Sequence, residues 1–333
     1  MAVKPRIVVV GIGSIGRRHA RLLRSRTDIE VEWCEPDPAL LASAAQELIP
    51  PSRVHHDFDT MISTAPEMVV LATPHAFHAD QSIKALAAGA HVLCEKPMAD
   101  CPESAHRMLS AARTYPRVLN IGFHLHFHPG LRRLKSLIDS GALGSIAHLH
   151  CRVGSYVTLS NSRTRYQKSL EGALMLDYAH QPDLLFWLLG KMPAGVYAAG
   201  AHVQSVDHHS NPNVLSVNFD YAHQLICTIH LNYLQAPERH EYEVVGDEGW
   251  AILDLTTARL TVGLRRNLST WNEEFTSERD SLYVAEHQAF LDAVNGVSMP
   301  ESPPDRAIAS VYITAAALSS WRSHKRVMIA STW

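Results

Sequence analysis

The sequence predicts an α/β fold in two domains, a doubly wound parallel sheet followed by an α/β domain with an open, largely antiparallel sheet. Three observations predict it. A glycine motif opens the chain behind a short β-branched run, apolar runs alternate with helical patterns up to residue 123, and after residue 145 the rhythm changes to a succession of strand-like runs. At 333 residues the chain exceeds the size at which one hydrophobic core keeps growing. The expected division is 1–123 and 124–333, with a C-terminal helix from about Asp305 to Arg322 packing back on the first domain.

The first strand is Arg6 to Val10, and the motif Gly11-Ile12-Gly13-Ser14-Ile15-Gly16 follows it and opens a helix that runs to Leu23. Strand, turn and helix are the context in which a dinucleotide fingerprint acts, which makes this a Rossmann-type start. Gly11 permits the tight turn, Gly13 lets the backbone approach a pyrophosphate, Gly16 allows close helix packing, and the amides around Ser14 and Ile15 face the phosphate at the positive helix end. The next strand, Ile29 to Cys34, ends in Glu35, where a carboxylate can accept both ribose hydroxyls. A 2′-phosphate would meet its negative charge, and Pro36 follows in place of a basic residue, so NAD is favoured over NADP. Met68 to Ala72 with Phe77 to Ala88, His91 to Cys94 with Pro102 to Ala112, and Val118 to Phe123 complete the βαβ rhythm.

Beyond residue 145 the strand-like runs are Ile146 to Val157, Val196 to Val206, Val214 to Tyr221, Gln224 to Tyr233, Glu241 to Val245 and Ala251 to Leu255. No repeat or low-complexity tract interrupts them. A hydrophobic share of 46% promises a sizeable core, and a net charge of -3 gives no electrostatic case for nucleic acid or an anionic membrane. No apolar run approaches bilayer length, and residues 1–25 read as strand and charged helix instead of a signal peptide, so a cytoplasmic location is expected. Cys34, Cys94, Cys101, Cys151 and Cys227 lack paired spacing and read as reduced thiols.

The chain resembles the Gfo/Idh/MocA oxidoreductases, which include glucose-fructose oxidoreductase and inositol dehydrogenase. The resemblance rests on six stretches in order: Gly11–His19 (GIGSIGRRH), Val69–Pro74 with His78, His91–Pro97 (HVLCEKP), Phe127–Gly144, Gly172–Gly190 (GALMLDYAHQPDLLFWLLG) and Tyr242–Asp254 (YEVVGDEGWAILD). It implies a Rossmann domain and a C-terminal domain whose open sheet faces the substrate and commonly mediates oligomerisation, so a homo-oligomer, dimer or tetramer, is expected.

Oxidising a secondary alcohol sends hydride to a nicotinamide while the hydroxyl proton leaves, which asks for a base and for a cation beside the developing alkoxide. By resemblance, Lys96 of Glu95-Lys96-Pro97 is the catalytic or substrate-orienting cation, Glu95 sits beside the nicotinamide, and Pro97 fixes the backbone behind it. His180 matches the family's histidine in His180-Gln181-Pro182-Asp183, and the resemblance implies that it is the proton acceptor, a role that suits imidazole because it titrates near neutrality. Asp177 and Asp183 each lie three residues from it. Relatives such as inositol dehydrogenase carry the dyad aspartate four residues before the histidine, where this chain has Leu176. Two readings stand: Asp177 substitutes after a backbone adjustment, or the segment is shortened. Pro182 predicts a kink or a fresh helix start beside His180, which would favour neutral imidazole.

His124, His126 and His128 alternate and would share one face of a strand, a spacing that suits a metal. No metal is expected, because with 21 histidines clustering comes easily, and by resemblance His126 stands where arginine is usual. His124 is a candidate for the substrate pocket, and His128 with Pro129 reads as structural. Thr73, Pro74 and His78 match a loop around the nicotinamide ribose, with His75 where asparagine is common. Arg152, Arg163, Arg165 and Lys168, with Tyr156 and Tyr166, suit polar or anionic groups on a sugar; a solvated loop is the other reading.

The combined expectation is an NAD-dependent dehydrogenase of a sugar, sugar derivative or cyclitol. One alternative is glycoside cleavage by transient oxidation and elimination, with the cofactor recycled. An alternative of another class is a non-catalytic sugar-sensing or NAD-sensing binding protein.

Overall fold

The structure, a computed structural model, describes residues 4–160, 170–204, 211–222 and 225–329. The chain divides into two compact units, Met1–His124 with Glu278–Val311, and Leu125–Ser277 with Tyr312–Trp333. This differs from a single division at residue 123, because a stretch near the C-terminus belongs to the first unit.

In the first unit, β1 (Arg6–Val10), β2 (Glu30–Cys34), β3 (Val54–His55), β4 (Met68–Leu71), β5 (His91–Glu95) and β6 (Leu119–Gly122) form a parallel sheet in the order β3-β2-β1-β4-β5-β6. The central pair aligns Val8 with Val69 and Val9 with Val70, all fully buried. A strand covered on both faces is read in sequence as an unbroken apolar run, which is what these segments are. The intervening helices are α1 (Ser14–Arg24), α2 (Pro38–Glu47), α3 (Phe58–Ile62), α4 (His78–Ala87) and α5 (Pro102–Thr114). Asp37 and Asp57 cap α2 and α3 by accepting from Ala39 N and Thr60 N.

In the second unit α6 (Pro129–Asp139), β7 (Ile146–Gly154), α7 (Tyr156–Ser160), α8 (Ala173–Asp177) and α9 (His180–Leu189) precede a run of strands. These are β8 (Gly195–Ala201), β9 (Val214–Asp220), β10 (Ile226–Asn232), β11 (Arg239–Gly246), β12 (Gly249–Asp254), β13 (Arg259–Leu264) and β14 (Ser269–Glu274). After them come α10 (Arg279–Val294), which belongs to the first unit, α11 (Pro304–Ser323), divided between the units at Val311, and β15 (Val327–Met328). The second sheet has the order β14-β13-β12-β11-β7-β10-β9-β8-β15 and is antiparallel except where β7 meets β10. The strands alternate: on β10, Cys227, Ile229 and Leu231 are buried while Ile226, Thr228 and His230 are more exposed.

The fold class is the expected one, with local departures. The strand expected from Ile146 to Val157 ends at Gly154, and α7 takes over at Tyr156. The expectation of a strand over His124 to His128 fails, because His124–Phe127 is a 3-10 turn. β13, β14 and α10 lie where no element was expected. Among the described residues no helix is long and apolar enough to cross a membrane.

Candidate active site

The loops that leave β1, β2, β4 and β5 lie at the carboxyl-terminal edge of the first unit's sheet. Gly11 has φ +84°, and a Cβ on Gly16 would stand 1.7 Å from the Gly11 carbonyl oxygen, so helix and turn meet at a distance only glycine permits. Above Gly13, by contrast, a Cβ would meet nothing within 4 Å. No side chain caps α1, so its first-turn amides stay available to an anion. Glu35 is 5% exposed, and its carboxylate accepts from Ile12 N at 2.8 Å and Asp37 N at 3.0 Å. Each carboxylate oxygen keeps a further lone pair. The open glycine turn, uncapped helix and fixed carboxylate fit the pyrophosphate and ribose of a dinucleotide.

Behind β4, Thr73 Oγ1 donates to Gln81 Oε1 at 2.6 Å, and Pro74 precedes a 3-10 turn. His78 is buried with its ring between Pro97 O (2.8 Å) and Thr73 O (2.9 Å). Burial, the largest influence, lowers its pKa, and a neutral ring donates to one carbonyl at a time. His78 therefore joins the β4 and β5 loops by backbone contacts.

Glu95 closes β5 and is 6% exposed. One carboxylate oxygen pairs with His19 Nε2 at 3.0 Å and the other accepts from Lys96 N at 3.1 Å. Burial works to raise its pKa, but the hydrogen bond and charge of His19, then Lys96 and His124, outweigh it and hold Glu95 below the usual carboxylate range. His19 Nδ1 lies 2.7 Å from Nε2 of His287 on α10. His124 ends this unit, stacked on Tyr283 of α10 at 4.4 Å, and burial brings its pKa down to about 3.

In the second unit the helix breaks where Pro182 predicts it. α8 ends at Asp177, Gln181 N bonds to Tyr178 O in a tight turn, and α9 starts afresh at His180 with Pro182 in its first turn. His180 is 8% exposed. Asp177 accepts from the Tyr233 hydroxyl, and burial, then the Asp177 charge, raise the Tyr233 pKa well above its ordinary value. Asp183 pairs with His126 at 2.7 Å. His124, His126 and His128 part ways, the last capping α6 by accepting from Gly130 N at 3.1 Å. Gln181 Nε2 bonds to the Tyr242 hydroxyl at 3.2 Å, beside His240. Tyr156 starts α7, and Arg152 on β7 stands 3.9 Å from Glu241. Arg163, Arg165, Tyr166 and Lys168 lie outside the described residues.

Glu286, His287, Tyr233 and Trp187 were not singled out from sequence. A signal existed for two of them: Tyr283, Glu286, His287 and Phe290 fall at the spacing of one buried helical stripe, as do Gly16, His19, Ala20 and Leu23 on α1. Polar residues on an apolar stripe mark a site or a satisfied core cluster.

The chain is 29% identical over 303 residues to an inositol 2-dehydrogenase of Pseudomonas fluorescens, covering 86% of this chain and 85% of that protein. It superposes on a solved myo-inositol 2-dehydrogenase from Lactobacillus plantarum with a TM-score of 0.83 at 22% identity, over 98% of this chain and 100% of that one. A scyllo-inositol dehydrogenase from Lactobacillus casei, solved with NAD(H) and scyllo-inositol, gives a TM-score of 0.82 at 21% identity over 98% and 99%. Residues 5–123 match the oxidoreductase family with an NAD-binding Rossmann fold, and residues 131–252 match the GFO/IDH/MocA C-terminal domain. With both of the family's domains matched in order along one chain, this protein belongs to the GFO/IDH/MocA oxidoreductases.

Proposed function

We propose that the protein is an NAD-dependent dehydrogenase that oxidises a ring secondary hydroxyl of a sugar, sugar derivative or cyclitol. The observation that carries this reading is the position of Lys96. It follows β5 directly, at the same carboxyl-terminal sheet edge as the glycine turn after β1 and the Thr73 loop after β4. Open parallel sheets bind ligands at this edge, where the strand order reverses, here between β1 and β4. The names of the relatives, inositol 2-dehydrogenases, support the substrate class.

Gly11, Gly13, Ser14, Ile15, Gly16 and Glu35 hold the dinucleotide, with Thr73, Pro74, His78 and Glu95 around its nicotinamide end. Bound NAD supplies the hydride acceptor. Lys96 gives its ammonium charge to the developing alkoxide, where a preorganised cation acts most strongly. His180, at the start of α9, accepts the hydroxyl proton, and Asp177, three residues before it, completes the constellation with Tyr233 bound to its carboxylate. His124, Tyr156, Arg163 and Arg165 contact the substrate in this reading, the arginines accommodating an anionic group. A cytoplasmic homo-oligomer is part of the same proposal.

The test strips purified protein of nucleotide, titrates it with NADH and NADPH by fluorescence, and then screens sugars, cyclitols and glycosides with NAD. Tighter NADH binding and net NAD reduction with a polyol are expected. Glycoside cleavage without net reduction would favour the cofactor-recycling alternative. Absence of binding by either nucleotide would leave the non-catalytic reading in its place.

A further inference from the structure

Glu286, in the middle of α10, is wholly buried, and neither of its carboxylate oxygens has a hydrogen-bond partner among the described residues. The groups around it all belong to the first unit. His19 comes from α1 and Glu95 from β5, and one polar atom from each lies within 4.8 Å of the other and of the Glu286 carboxylate. Tyr283 and His287 come from α10 itself, with His124 stacked on Tyr283. Arg18 and Arg279 act on Tyr283, and Arg26 on His287.

Two buried carboxylates this close do not both ionise, and Glu95 is the one with donors. It has His19 Nε2 on one oxygen and the Lys96 amide on the other. A cation could also neutralise the pair. His19, however, is engaged at both ring nitrogens, by His287 at 2.7 Å and Glu95 at 3.0 Å, so a metal would have to displace one of those bonds. A proton displaces nothing.

We propose that Glu286 is a neutral carboxylic acid at neutral pH and that in this form it is a positioning residue for Glu95 and, through the adjoining backbone, for Lys96. Burial first, then the charge of Glu95, push Glu286 well above the carboxylate range. Ionised, it would repel Glu95 and loosen the bonds that hold the end of β5. The protonation stands by itself; only the consequence for Lys96 rests on the dehydrogenase reading.

The test compares wild type with Glu286→Gln and Glu286→Ala. In wild type the native state keeps a proton that the unfolded chain releases above about pH 4.3, so its stability falls as pH rises above that value. The folding constant of Glu286→Gln relative to wild type is therefore expected to rise by up to about tenfold per pH unit. A ratio independent of pH would overturn the protonation. Should the variant fail to fold, infrared spectroscopy of wild type at neutral pH decides instead: the carbonyl stretch of a neutral carboxylic acid is expected, and its absence overturns the proposal. Metal analysis finding one equivalent of a divalent cation per chain would overturn it in favour of a metal site. For the positioning half, turnover of Glu286→Gln, which fills the same space without charge, is expected to stay near wild type with the same pH profile, while Glu286→Ala, which opens a cavity beside the Glu95 carboxylate, lets Glu95 shift and loses about tenfold or more. Equal losses in both would reject it. If no substrate is ever found, the dehydrogenase reading fails while the stability and infrared results still decide the protonation.

Discussion

His126 donates from Nε2 to Oδ2 of Asp183 at 2.7 Å while its ring stacks on Trp187 at 4.7 Å. The turn before α6 is thereby tied to the first turns of α9, the helix that begins at His180. Asp183 is 5% exposed, so its carboxylate depends on such donors. Replacing His126 with Ala is expected to cost about 1–3 kcal/mol in denaturant unfolding and to lower turnover more than NADH affinity. His126→Arg, which restores a donor to the carboxylate, should recover part of both.

Lys96→Met and His180→Ala separate chemistry from cofactor binding. Each is expected to lower turnover by about 10²–10⁴-fold, with NADH binding nearly unchanged in fluorescence titration. An unchanged turnover in either variant would remove that residue from the mechanism.

Glu35 bears on cofactor choice. Its carboxylate is fixed by the Ile12 and Asp37 amides, and in the proposed function it faces the ribose, where its charge would oppose a 2′-phosphate. Glu35→Ser should narrow the ratio of NADPH to NADH dissociation constants by about tenfold or more, with most of the change a loss of NADH affinity.

Acid stability is set in part by buried histidines. Burial brings His128 down to about 4 from an ordinary 6.5, and its Nδ1 accepts the capping bond from Gly130. Between those values the unfolded chain binds the proton and the native protein does not, so stability is present above pH 6.5 and is lost as pH falls toward 4. The contribution is on the order of 3 kcal/mol. His128→Asn keeps a capping acceptor without a titrating ring, and the fall in stability across that window should shrink by about one proton's worth of slope.

Gly16→Ala would place a methyl 1.7 Å from the Gly11 carbonyl oxygen. Backbone must move, so loss of nucleotide binding and destabilisation of at least about 2–3 kcal/mol are expected, measured by titration and unfolding. Gly13→Ala, with open space at Cβ, should stay folded and lose nucleotide affinity alone.

Much of this protein is local in sequence. The glycine turn, the apolar strands β1, β4 and β5, the break at Pro182 and the position of Lys96 after β5 follow from backbone freedom, burial and spacing within a few residues. Those same rules read the alternating strands of the second sheet, and they overran at Gly154, where chain that still looks extended turns into α7. What the tertiary structure decided were the partnerships. The sequence places His126 fifty-seven residues from Asp183 and His19 268 residues from His287, and no local pattern links them. α10 was missed for a similar reason: its apolar stripe is interrupted by Glu286 and His287, polar residues whose place in the interior makes sense only once His19 and Glu95 are packed against them. Periodicity shows which face of an element is buried, but only the folded chain brings together the charges that let a buried carboxyl or imidazole stay there.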